Sequence, residues 1–459
     1  MPSGARSKQG RLADGSYGNR SEAKARKVNI RFDLPRGIDG LAAYFSEFLE
    51  IAGGTRWWKR VDQIYREGQK SSYQAKIMSD HHWLELELST QIGIWREHGR
   101  LLPEEVFPQS MAALLFAGMT AETHKHLTTT GRNNLLGRLR DGLKTDFAGL
   151  YLELDVARGL LDEGFDIEFP DFEGAATYDI RFQNGNIVGE VECKSLSADA
   201  GRKIHRKDFY RFIDALGPKV MDYAKNSTRA VLVVTLDDRM LPDVESQRAL
   251  RTAASRVLTE ANLTQLSGPN FVIEREPYER RLANTDFTEP KELYDACSKA
   301  FGPNCHASGV MSETGGCFVV VRSRREDDHS KPQLEALKKA TSQLTGNHPG
   351  FIALQFEDIA PPDLALPHLR RRVAILANAV FHSKDSSHLA AVYHTAYGGL
   401  HPAGGLLAKP AFVFWNPRWD GSADGLPFRS GMSNSEFALK LGVDPGKTDP
   451  DDHMYGLGD

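Results

Sequence analysis

The segment Phe182-Gln-Asn-Gly-Asn-Ile187 constrains this chain more than any other, because an Asn-Gly pair between two alternating runs specifies a tight β-hairpin. With Asn184-Gly185 as the turn, Phe182 faces Ile187, Ile180 faces Gly189 and Asp179 faces Glu190. Alternation sends Tyr178, Ile180 and Phe182 to one face together with Ile187, Gly189, Val191 and Cys193. The other face receives Asp179, Glu190, Glu192 and Lys194. Carboxylates crowded on one patch repel unless a cation neutralises them. Hard oxygen ligands from two carboxylates suit Mg²⁺, which keeps several waters and takes further ligands from substrate phosphate. Lys194, on the same face, is placed to orient or deprotonate an attacking water, or to stabilise charge on the phosphate.

Two helices flank this hairpin. Upstream, Phe147, Leu150, Tyr151, Leu154, Ala157 and Leu161 form one apolar stripe on a helix that Thr145-Asp146 can cap. Glu153 falls roughly 90° from the centre of that stripe, at the edge of the buried face. Downstream, a long helix is expected over Arg202–Ala224, with a break at Gly217-Pro218. Its apolar stripe is Phe209, Phe212, Ile213, Leu216 and Val220. Lys203, Lys207 and Arg211 recur on the opposite side and Arg206 flanks the stripe, a pattern that fits a phosphate-tracking surface and equally a solvated helix face.

Asp179, then Glu192-Cys193-Lys194 on the next strand, with Glu153 on the preceding helix, resembles the PD-(D/E)XK nuclease superfamily. The resemblance covers residues 145–235 and includes the order of elements: helix, strand with Asp, strand with Glu-x-Lys, helix, strand. It implies an α/β fold, a restriction-endonuclease-like core with a mixed β-sheet flanked by helices, and hydrolysis of phosphodiester bonds. It further implies that Asp179 and Glu192 bind Mg²⁺ (or Mn²⁺), that Lys194 serves the nucleophilic water and that Glu153 supports the metal site. Register alone favours Glu190 opposite Asp179, whereas the family pattern favours Glu192; a bulge would reconcile them, so Glu190 stays a candidate ligand. Tyr178 stands where the family pattern has Pro.

At 459 residues the chain exceeds what one hydrophobic core usually serves, so two or three domains are expected. Residues 1–28 read as a disordered basic arm, 30–144 as a helical N-terminal region and 145–262 as the nuclease core. Residues 263–420 read as an α/β extension of the core or a second domain, and 421–459 as an irregular tail. Apolar residues at 41% and charged residues at 26% are those of a globular protein. No run of 18 apolar residues suggests a membrane span, and the N-terminus lacks a secretory pattern. Four cysteines make no disulfide framework, which fits a reducing cytoplasm. A net charge of −4 excludes a globally basic nucleic-acid coat but not a local basic patch.

Three other patterns are set aside. Cys297, Cys305, His306 and Cys317 lack zinc-knuckle spacing. Gly442-x₃-Gly446-Lys447-Thr448 is one residue short of a phosphate loop and runs into Asp449-Pro450. Trp57-Trp58 beside Lys59-Arg60 reads as core packing before base stacking. The expected function is a metal-dependent nuclease acting on DNA rather than RNA, in the manner of a bacterial restriction or phage-defence component. A homodimer or a partner protein is left open. The alternative is a catalytically inactive nucleic-acid- or protein-binding module on the same fold.

Overall fold

The computed structural model describes residues 30, 32, 34, 38–102, 108–140, 147–197, 199–282, 290–302, 304–311, 315–356, 367–384, 386–395, 411–422 and 424–428. The basic arm, the Thr145-Asp146 cap, the Gly442–Thr448 segment and nearly all of the expected tail lie outside them.

Seven helices lead the chain: α1 (Ile38–Ala42), α2 (Tyr44–Ala52), α3 (Gly54–Gly68), α4 (Ser72–His81), α5 (Trp83–His98), α6 (Pro108–His126) and α7 (Thr129–Arg140). Their apolar residues merge into one core, in which Phe48, Trp57, Phe116 and Phe147 pack ring against ring. Trp57 is therefore a core residue; Trp58 is half-buried with Arg96 over its ring.

The helix α8 (Ala148–Asp162) then leads into β1 (Asp166–Glu168), the short α9 (Pro170–Glu173), β2 (Ile180–Asn184) and β3 (Ile187–Leu196). After α10 (Arg206–Asn226) come β4 (Ala230–Leu236), α11 (Val244–Thr259), β5 (Gln265–Ser267) and β6 (Phe271–Pro277). The chain continues with α12 (Glu279–Leu282), α13 (Pro290–Phe301), β7 (His306–Met311) and β8 (Gly316–Ser323). It closes with α14 (Ser330–Gln343), β9 (Gly350–Phe356), α15 (Pro367–Phe381), β10 (Leu389–Thr395) and β11 (Ala411–Trp415).

These strands form two mixed sheets flanked by helices, an α/β architecture. The first runs β1-β2-β3-β9-β10-β11, with β3, β9 and β10 parallel. Alternation along its strands divides the packing cleanly. Val191, Cys193, Phe351 and Ala353 join the helical N-terminal core, while Leu196, Ile352, Leu354 and Val392 pack under α14 and α15. The second sheet runs β5-β6-β4-β8-β7. Its central strand β4, Ala-Val-Leu-Val-Val-Thr-Leu, is buried throughout, with α10 and α11 on one face and α12 and α13 on the other.

This arrangement corrects the expected boundary of the core at 145–262. Helix α10 and strand β4 follow the Glu-x-Lys strand in sequence, but β4 pairs with β6 and β8 rather than with the first sheet. The chain leaves the first sheet at Leu196 and returns to it at α14, so the helix and strand completing that sheet beside β3 are α14 and β9. A uniformly apolar run such as β4 is at home in the middle of either sheet, so its sequence does not specify which it joins. Helix α10 also runs through Gly217-Pro218 without a break, with Pro218 on its exposed side. Among the described residues no helix is long and apolar enough to cross a membrane.

Candidate active site

The hairpin turns one residue later than Asn184-Gly185. Gly185 takes φ 57° and Asn186 has no positive φ, so the loop has glycine at its first central position, as a type II′ turn requires. Asn184 stays in the strand, paired with Ile187, and Ile180 pairs with Val191. One step beyond β2, the same register sets Asp179 level with Glu192 instead of Glu190. No bulge is needed. Asp179 Oδ2 accepts a hydrogen bond of 2.6 Å from the backbone N–H of Cys193, which fixes it against the Glu-x-Lys strand. The Asp179 and Glu192 carboxyl groups lie close enough to act on each other's protonation.

Glu192 is 1% exposed. One of its oxygens accepts from Lys194 Nζ, and the other, Oε2, is buried without a hydrogen-bond partner among the described residues. Lys194 Nζ also donates to Gln343 Oε1 at 2.9 Å. Gln343 in turn donates through Nε2 to the Thr177 carbonyl at 2.9 Å and accepts at its own carbonyl from Thr177 Oγ1 at 2.9 Å. The C-terminal end of α14 thereby ties the lysine to the segment that carries Asp179.

Glu153 projects from α8 into the same region, but both its oxygens are engaged. Arg138 of α7 reaches them with Nη1 and Nη2 at 2.5 and 2.6 Å, a bidentate pair. The Arg138 guanidinium also lies 5.4 Å from the centre of the Phe172 ring. Burial opposes its charge most, yet Glu153, with Asp179 and Asp171 adding to it, raises its proton affinity on balance. Glu153 thus contributes negative potential while its own oxygens are held by arginine.

Electrostatics follow from that packing. Burial, then Glu153, then Glu192 push the Asp179 carboxyl well above the usual carboxylate range. Burial also raises Glu192, against the pull of Lys194. Without an added cation, the pair therefore retains protons that exposed carboxylates would lose. The donor set fits a hard divalent ion: two buried carboxylates, one with an orphaned oxygen, whose shared cost a cation would relieve. Its extent is limited, since among the described residues no group of three or more His, Cys, Asp or Glu side chains is placed to hold a metal.

The remaining candidates lie elsewhere. Glu190, 1% exposed, accepts from the backbone N–H of Thr345 at 2.8 Å and from its hydroxyl. Both its oxygens anchor the loop after α14, so Glu190 does not join Asp179. On the basic stretch, Lys203 pairs with Asp238 at 2.9 Å, Arg206 with Asp199 at 3.2 Å and Arg211 with Asp208 at 3.7 Å. Lys207 is exposed. Helix α10, which carries Arg206, Lys207 and Arg211, packs on the second sheet and against α4, where Tyr210 meets Tyr73.

Arg138 and Gln343 were not marked by the sequence. Each is a polar residue on an ordinary amphipathic helix, and Gln343 lies 149 positions from its partner Lys194. Nothing local distinguishes them from solvated side chains. No family model matches the chain, and no curated protein and no solved structure matches it.

Proposed function

We infer that the chain is a metal-dependent nuclease that hydrolyses phosphodiester bonds, in DNA before RNA, at the cluster of Asp179, Glu192 and Lys194. The observation that carries this reading is a buried carboxylate pair that holds its protons abnormally tightly, with one carboxylate oxygen unpartnered, beside a tethered lysine. Structural packing alone gains nothing from such a pair, since a neutral amide at either position would be cheaper to bury.

Asp179 and Glu192 would hold Mg²⁺ or Mn²⁺. When bound, such an ion supplies Lewis-acid stabilisation of phosphate charge and a more acidic water. Asp179 is oriented by the Cys193 N–H and lies close enough to Glu192 to act on its protonation. Lys194 is held between Glu192 and Gln343, where its ammonium can hold an attacking water or charge on a phosphate oxygen. Glu153, clamped by Arg138, keeps the potential at Asp179 negative and so favours a cation there.

A second reading keeps the fold and removes the reaction, leaving a nucleic-acid- or protein-binding module. It is favoured by one observation, the absence among the described residues of a third metal-directed ligand. The setting we infer is the cytoplasm, because all four cysteines are free and buried. A restriction or phage-defence role, alone or with a partner, fits such a nuclease.

The two readings separate in one assay. Plasmid, linear duplex, single-stranded DNA and RNA are incubated with Mg²⁺, Mn²⁺ or EDTA, with wild type and Lys194→Ala. Metal-dependent cleavage that falls at least about 100-fold in Lys194→Ala supports the nuclease. Binding of a substrate with no cleavage under any metal supports the module.

A further inference from the structure

At the far end of α14 from Gln343, two arginines lie within electrostatic reach of each other, and the one carboxylate beside them, Asp199, is shared with Arg206. The chain crosses toward the second sheet through residues 199–205 and returns through 324–329. These two crossings are pinned together: the Asp328 N–H donates to the Gly201 carbonyl at 2.9 Å, and His329 Nδ1 meets the Ala200 carbonyl at 2.9 Å. Gly201, at φ 85°, allows that approach, since a Cβ there would stand 2.1 Å from the Asp328 carbonyl oxygen.

Arg202 extends from the first crossing and Arg372 from α15. Arg372 donates through Nε to Gln333 Oε1 at 3.1 Å, one turn into α14 from His329, and its Nη2 is buried with no partner. Arg202 Nε is likewise buried without a hydrogen bond; its nearest carboxylate, Asp199, is 4.0 Å away and lies closer to Arg206, at 3.2 Å. Asp327 is engaged by the Lys203 N–H at 2.7 Å and lies 3.7 Å from His329. Burial, then the Arg202 guanidinium, hold Arg372 below the usual arginine range, and no carboxylate offsets them. His329 is itself lowered, chiefly by burial, with Arg372 and Arg202 adding to it. Both arginine side chains remain partly exposed, although Arg202 Nε and Arg372 Nη2 are themselves buried.

We propose that Arg202 and Arg372 form a phosphoryl-binding site at the junction of the two sheets, separate from the carboxylate cluster. Two guanidinium groups with unfilled donors suit a phosphoryl group, whose oxygens accept hydrogen bonds from arginine forks. The length of α14 separates this site from Gln343 by about 20 Å. The phosphoryl group can come from a nucleic-acid backbone or from a free phosphorylated ligand, and the chemistry of recognition is the same. The site stands on its own geometry and does not depend on the nuclease reading.

The test is calorimetric titration of the full chain with inorganic phosphate, in EDTA and at constant ionic strength set by chloride. Wild type and Asp179→Asn should bind phosphate alike, while Arg202→Met and Arg372→Met should each bind about tenfold or more weakly. Each Met variant should melt no lower than wild type without phosphate, because it removes one of two opposed like charges, and should lose the rise in melting temperature that phosphate gives wild type. Displacement of a bound DNA duplex by phosphate in wild type but not in Arg372→Met assigns the site to backbone phosphate. Phosphate binding unchanged by saturating duplex assigns it to a free ligand. Equal phosphate binding by wild type and both Met variants, or none by any of them, overturns the proposal.

Discussion

The two sheets bury different things. In the second, all seven positions of β4 are buried and only Thr235 is polar, and its hydroxyl accepts from Arg322 Nε at 3.1 Å. In the first, the central strand β3 buries Glu190 and Glu192 at 1% exposure each, and Asp179 is packed against it. Glu190 is satisfied by Thr345, whereas Glu192 has an oxygen without a partner. One sheet is arranged as apolar packing demands. The other retains a cost that a neutral side chain would remove, and such exceptions to good packing concentrate at functional sites.

This contrast can be broken from either side. The largest effect is expected in the second sheet, where Leu232→Ala should destabilise the protein by about 2–5 kcal/mol in chemical denaturation, since it opens a cavity in a fully buried strand. At the first sheet, Glu153→Gln should cost about 1–2 kcal/mol, because it leaves the Arg138 guanidinium facing a neutral amide; the figure is reduced for Arg138's partial exposure. Asp179→Asn should act in the opposite direction. It removes the strained charge while keeping an acceptor for the Cys193 N–H, and should stabilise the metal-free protein by about 0.5–2 kcal/mol at neutral pH while abolishing cleavage. A loss of stability in Asp179→Asn would mean that the carboxylate is structural.

The pH dependence carries the same sign. Asp179 and Glu192 are raised in the folded state, so the native protein binds more protons than the unfolded one above the ordinary carboxylate range. Their contribution is fully present below about pH 4 and is lost as pH rises through the raised folded values. The difference in unfolding free energy between Asp179→Asn and wild type should therefore grow from mildly acidic toward neutral pH, and denaturation at a series of pH values measures it directly. A difference that shrinks with rising pH would reverse the assignment.

Much of this site was legible in the sequence because strand alternation is local. It sorted Asp179, Glu192 and Lys194 from Ile180, Phe182 and Val191 whatever the register. The register itself turned on a single dihedral, since Gly185 occupies the first central position of the turn and Asn184 remains paired with Ile187. That one-residue difference moved Asp179 from Glu190 to Glu192. Long-range contributors were beyond local pattern: Gln343 returns to Lys194 only after the whole second sheet has been built, and Arg138 reaches Glu153 from a neighbouring helix. The insertion of the second sheet was likewise hidden, because β4 offers the same apolar run to either sheet.

The most direct test of the central claim is Mn²⁺ binding to the full chain by calorimetry at pH 6 and pH 8, in wild type and Asp179→Asn. Because burial makes the pair retain protons that the ion must displace, wild-type affinity should be higher at pH 8 than at pH 6, and Asp179→Asn should bind weakly at both. Binding that is independent of pH and unaffected by Asp179→Asn, or no binding by wild type at either pH, would contradict the assignment of Asp179 and Glu192 as a metal-dependent catalytic pair.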